Sequence, residues 1–205
     1  GERVLFGSLL LAISFHFASL YPNVFSANGV NLGLYYAGSV VALCMTLVLS
    51  LITNWRPISS LSVVIYPIAG LLVILAVIFP STRVVDQEVS ALIQLHIALS
   101  IIAYSLFAIA TIQAVYLAIA EHRLKTHRPI LHFLPPLPTM ESMLFQLTAI
   151  AFALLSISLL LGFFSIESIS LQHLAHKIAF SVLAWIVFAA LIIGRWRFHW
   201  RGRRA

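Results

Sequence analysis

Apolar residues in this chain run in long unbroken blocks, and the polar and turn-forming residues collect in the gaps between them. A helix crosses the hydrocarbon core of a bilayer with about 20 apolar residues. Six blocks meet that length, at about 3–21, 31–53, 58–79, 88–120, 140–164 and 172–198. The gaps carry turn chemistry: Tyr21-Pro22-Asn23 through Asn28-Gly29, Asn54 to Pro57, Pro80 to Asp86, the proline-rich Arg128 to Pro138, and Ser165 to Ser170. The pattern predicts an all-α polytopic transmembrane helix bundle, one integral membrane domain over residues 1–205 with no internal repeat. Pro67 lies inside the third span and is expected to bend it. The fourth block is longer than a bilayer requires, so its last turns, with Glu121 and Lys125 at i,i+4, should project into water.

Composition removes the competing classes. The chain is 61% hydrophobic and only 9% charged, with a mean hydropathy of +1.05, whereas a soluble domain carries about 25% charged residues. Soluble enzymes, disordered chains and disulfide scaffolds are excluded. Cys44 stands alone inside an apolar run, so neither a disulfide framework nor a thiolate cluster is available.

The net charge of +6 becomes an orientation once the cations are assigned to sides. Arg3, Arg56, Arg123, Lys125, Arg128, Arg195, Arg197, Arg201, Arg203 and Arg204 fall on one side, and Arg83 and Lys177 on the other. Both ends are therefore expected to be cytoplasmic. The tail from Arg195 to Arg204 interleaves cations with Trp196, Phe198 and Trp200. Directly after a span, that mixture reads as aromatic anchoring and attraction to anionic membrane lipid, not as a nucleic-acid surface.

Chemistry is left mainly to the histidines, of which there are eight. His122, His127, His132 and His199 belong to the basic side, while His16, His96, His173 and His176 belong to spans or their outer ends. At about 1.5 Å per residue, His16 lies roughly 7 Å, His96 about 12 Å and His176 about 7 Å below the outer ends of the expected spans. On the fourth helix His96, Ser100, Tyr104 and Thr111 fall within an arc of about 80°, a polar stripe that should face the bundle interior. His173 and His176 are about 60° apart on the sixth.

A buried imidazole stays neutral and keeps a lone pair for iron, and Ile, Leu, Ala and Phe walls suit a flat macrocycle. The candidate metal ligands are thus His96, His176 and His16, with Tyr104 and Ser100 as supporting cofactor-binding groups, and heme b is the expected cofactor. A hydrolytic zinc set would need a nearby intramembrane carboxylate, which the outer-layer histidine cluster lacks. No nucleophile–base pair, P-loop or dinucleotide fingerprint is present, so no catalytic residue and no enzyme activity are expected. Two other readings remain open. One is a cofactor-free structural or regulatory subunit that docks a partner through its basic face; the other, less supported, is a transporter.

Several stretches resemble one family. The run His96-Ile97-Ala98-Leu99-Ser100-Ile101-Ile102-Ala103-Tyr104 is similar to the histidine helix of the cytochrome c assembly family, membrane heme-handling proteins that include the system II heme synthetase subunit and HemX-like and YpjD-like bacterial proteins. Leu134-Pro135-Pro136-Leu137-Pro138-Thr139-Met140-Glu141 resembles its loop before the next span, Ser181 to Trp185 its Ser-x-x-x-Trp helix, and Trp200 to Arg204 its basic end. The resemblance implies an eight-helix fold whose central six spans this chain would hold. It also implies a bacterial inner-membrane location, and partners among cytochrome c maturation components or other membrane proteins. His96 matches a histidine that flanks the family's heme-cradling outer loop, and His16 matches a membrane histidine. The outer loop here, Ser165 to Leu174, has neither Trp nor Asp, and Ile193 stands where synthetase-type members carry a histidine. These departures point to the HemX-like or YpjD-like branch, with a role in heme binding for cytochrome c biogenesis or heme homeostasis.

Overall fold

The computed structural model describes residues 2–26, 29–53, 59–80, 84–86, 90–127, 134–165 and 175–198. They form two compact units, Gly1–Val89 and Ser90–Ala205.

The first unit holds α1 (Glu2–Val24), α2 (Leu34–Thr53) and α3 (Ser62–Ile78), with a 3-10 turn at Ser59–Leu61 leading into α3. α2 packs against both neighbours, and Leu20, Val24, Tyr36, Leu43 and Ala76 from the three helices form the core. Three short antiparallel strands accompany them: β1 (Phe25–Ser26), β2 (Gly29–Asn31) and β3 (Val84–Asp86). Phe25 pairs with Val30, and Val30 with Val85. Gly29, at φ 140°, takes a backbone angle that a side chain would resist. The sequence pattern predicts turns over these segments, because strands of two or three residues are too short to display alternation.

The second unit holds α4 (Ala91–Lys125), α5 (Leu137–Phe164) and α6 (Ala175–Phe198). α5 packs against both α4 and α6, most extensively against α4. Between lipid-facing helices the hydrophobic effect supplies no drive, so close van der Waals approach between small residues must hold them together. The buried positions agree: Ala103, Ala110 and Ala120 on α4, and Ala151 and Ser158 on α5, are all under 5% exposed.

Hydroxyls buried in apolar helices need partners, and most return to their own backbone. Ser105 donates to the carbonyl of Ile101, Thr148 to Leu144 and Ser156 to Phe152. Longer polar groups clamp the helices to one another. Gln113, 1% exposed, donates to the Met140 carbonyl at 3.1 Å. Trp185 donates from Nε1 to Ser156 at 2.9 Å, and Arg195 pairs with Glu141 while lying 4.5 Å over the Phe145 ring.

The helices bear out the all-α membrane bundle, with displaced ends. Leu34–Thr53, Ala91–Lys125, Leu137–Phe164 and Ile178–Arg197 are each long and apolar enough to cross a membrane. α3, at 17 residues, covers roughly 26 Å, and it continues through Pro67. α1 continues through Pro22 to Val24, past its expected stop. A proline in the last turn forfeits only one backbone bond and its φ is already helical. α5 begins at Leu137 with Pro138 in its first turn, where the missing N–H has no intrahelical partner to lose. The overhang of α4 is present, with Lys125 Nζ 3.6 Å from Glu121.

Candidate histidine site

His96 sits in the second turn of α4, and its imidazole is turned onto α5. Its Nδ1 lies 2.7 Å from the Ser158 carbonyl oxygen. A carbonyl only accepts, so Nδ1 is the donor, and in the neutral ring Nε2 is the nitrogen left with a lone pair. A metal-binding histidine is oriented in this way, by a carbonyl that holds its other ring nitrogen.

The Ser158 side chain completes the cradle. It is 1% exposed, donates to the His96 backbone carbonyl at 3.1 Å, lies 3.0 Å from Nδ1, and receives the Ser100 hydroxyl at 2.7 Å. One turn further along α5, Gly162 leaves room for the ring. A Cβ there would stand 3.0 Å from both Cε1 and Nδ1 of His96. A side chain there would force the imidazole to give way by at least a few tenths of an ångström.

The other expected site residues separate. Ser100 joins the His96 network, as above. Tyr104 is 51% exposed, and Thr111 is exposed as well. The polar stripe of α4 therefore does not face inward as a whole: an arc of about 80° is wider than one helix contact, so its far edge falls outside the α5 interface. The polar residues that do lie buried on α4 are Ser105 and Gln113.

His16 belongs to the first unit, where it is 9% exposed and its Nε2 lies 3.0 Å from the Ser39 hydroxyl of α2. Because α1 runs on to Val24, His16 is about 12 Å from that helix end. His96, five residues after Ala91, is only about 7 Å from its own.

His176 lies in the first turn of α6, and His173 falls outside the described residues. The contact of Trp185 with Ser156 sets the antiparallel register of α6 on α5. Counting back along α6 brings the His176 backbone level with Ser165. That is roughly 5 to 10 Å beyond the Ser158–Gly162 level of His96. Backbone register thus brings the two histidines to the same end of this unit. Among the described residues no group of three or more His, Cys, Asp or Glu could hold a bare metal ion. A macrocycle that brings its own ring nitrogens would need only one or two donors from the protein.

Ser158 and Gly162 escaped the sequence reading. Their signal was present, since a small pair four residues apart marks a close helix–helix approach in membranes. It names no partner, however.

These features define a class: a polytopic helical membrane protein with an oriented, tautomer-fixed histidine at one end of a three-helix unit. The chain belongs to the cytochrome c assembly protein family, whose model matches residues 4–205. It is 28% identical to the inner membrane protein YpjD of Escherichia coli K12 over 99% of this chain and 78% of that protein. It is also 30% identical to an uncharacterized 28.8 kDa protein of Azospirillum brasilense, over 80% of this chain and 64% of that one. No solved structure matches the chain.

Proposed function

We propose that this chain is a heme-binding protein of the bacterial inner membrane that assists cytochrome c biogenesis or heme homeostasis, as a binding module and not a turnover enzyme. The observation that carries the reading is the Nδ1 contact of His96 with the Ser158 carbonyl, which leaves Nε2 as an aimed donor. The family's description and the inner-membrane relative agree with it.

The residues present fit heme b by their donor chemistry. Heme b, if bound, would supply an iron that takes imidazole nitrogen as a ligand. His96 would provide one nitrogen, with its ring held by the Ser158–Gly162 cradle. His176 is the favoured second ligand, because it belongs to the same unit and the same end. His16 is less favoured, since its Nε2 is already engaged by Ser39. The orientation that puts this end on the outer side follows from the cation bias of the sequence.

The test is the absorption spectrum of the purified full chain after heme loading. Wild type should show a Soret band of bis-histidine character, and His96→Ala should lose most of it. An unchanged spectrum in His96→Ala, or no heme uptake by wild type, would overturn the reading.

A second reading, a cofactor-free subunit that docks a partner through its basic face, has one observation in its favour: His16 serves Ser39 as interhelical glue. A wild-type protein that copurifies with a partner and takes up no chromophore would support it. Loss of that partner on neutralising Arg201, Arg203 and Arg204, which lie outside the described residues, would support it further.

A further inference from the structure

The second unit carries a feature that the histidine site does not use. Among α4, α5 and α6 lies a cavity of about 550 Å³, within the range that encloses a small ligand. The stacked rings of Phe107 and Phe188, 4.0 Å between centroids, line one end of it. Its α4 wall is Ala110, Ala114 and Ala118, every fourth residue, which makes a trough free of side-chain bulk. Leu144, Phe145 and Leu191 supply opposing apolar surface.

The polar residues gather at the other end. Glu121, His122 and Lys125, on the last two turns of α4, line the rim. Lys125 is 60% exposed and its Nζ is 3.6 Å from the Glu121 carboxylate. The rim therefore offers one cation and one anion within reach of a single headgroup.

The dimensions match one leaflet. From Phe107 to Glu121, the rise of α4 amounts to roughly 21 Å, which is half of the about 40–45 Å of a bilayer with its headgroups. The remaining rise, from Ala91 to Phe107, is roughly 24 Å and accounts for the other leaflet. The aromatic stack thus falls near the midplane and the charged rim at headgroup level.

We propose that this groove binds one phospholipid of the leaflet at the Lys125 end, and that its rim selects a headgroup bearing both a phosphate and a primary ammonium, as in phosphatidylethanolamine. One acyl chain lies in the alanine trough. The phosphate meets the Lys125 ammonium and a ring N–H of His122, and the headgroup ammonium donates to Glu121. Phosphatidylglycerol has no cation and leaves Glu121 opposed by like charge. Phosphatidylcholine has a cation without an N–H to donate. The site is separate from the histidine cradle and does not depend on heme.

The test is native mass spectrometry of the delipidated full chain with equimolar phosphatidylethanolamine, phosphatidylglycerol and phosphatidylcholine. Wild type should retain phosphatidylethanolamine about tenfold over the other two, the worth of one charge-assisted hydrogen bond. Glu121→Gln should abolish that preference and raise phosphatidylglycerol, while Ala114→Phe should lower all three. Ala114→Phe is judged only on protein with wild-type helical circular dichroism; Glu121→Gln keeps the volume of a side chain that is 27% exposed and changes only its charge, so the rim arm of the test does not depend on repacking. Equal retention of the three lipids by wild type, a preference that survives Glu121→Gln, or displacement of bound phosphatidylethanolamine by hemin would overturn the proposal.

Discussion

Two small residues control the imidazole of His96, and each fails differently when changed. Gly162→Ala places a methyl 3.0 Å from two ring atoms, an overpacking expected to cost about 1–3 kcal/mol. The ring should swing away from α5, so both thermal stability in detergent and Soret intensity should fall together. Ser158→Ala removes the hydroxyl but spares the backbone carbonyl that orients Nδ1. It should cost about 0.5–1.5 kcal/mol of stability and leave most of the heme band; a band lost as completely as in His96→Ala would mean that the hydroxyl, not the carbonyl, sets the ring. His96 itself was legible from the sequence, because a histidine in an apolar span is costly and therefore rarely idle. Its partners were not legible. Ser158 and Gly162 mark a close helix approach without naming its partner, and only the α4–α5 register brings them within reach of His96.

At the level of elements, α6 is held to α5 by polar clamps at two heights. Trp185 bonds Ser156, and Arg195 meets Glu141 against the Phe145 ring. Both ends of the Arg195–Glu141 pair are partly exposed, so solvent screening limits its worth to about 1 kcal/mol. Trp185→Phe, which keeps the ring and loses the donor, should cost a similar amount. The double variant Trp185→Phe with Glu141→Gln is expected to lower the melting temperature by roughly the sum of the two, since the sites are well separated. A cysteine placed on the α5-facing side of α6 should at the same time become more reactive to a small thiol reagent. If reactivity stays at the wild-type level, other contacts hold α6. The six helices were readable as blocks of hydropathy, but their ends were not. Pro22 and Pro138 read as breakers, yet each occupies a terminal turn in which proline is tolerated.

For the whole molecule, the division at residues 89 and 90 makes the ligand assignment testable. A fragment of residues 90–205 contains His96 and His176 but not His16. If the axial pair is His96 with His176, this fragment, once shown by circular dichroism to be helical, should still give a bis-histidine Soret band. A helical fragment that binds no heme would overturn that pairing. Orientation is tested separately, with single cysteines in a Cys44→Ser background and an impermeant thiol reagent on intact cells. Asn23→Cys should label and His127→Cys should not; the reverse would invert the topology expected from the ten-to-two division of cations. The sequence by itself determined the solvent, the helical class and the short roster of chemically capable side chains. Hydropathy and charge are sums over a segment, and those sums survive any arrangement of the helices. The tertiary structure alone decided which face of α4 meets α5, which nitrogen of His96 is left with its lone pair, and that Tyr104 stands apart from the network Ser100 joins. These depend on register, where a shift of one residue turns a helix face by about 100° and exchanges every contact it makes.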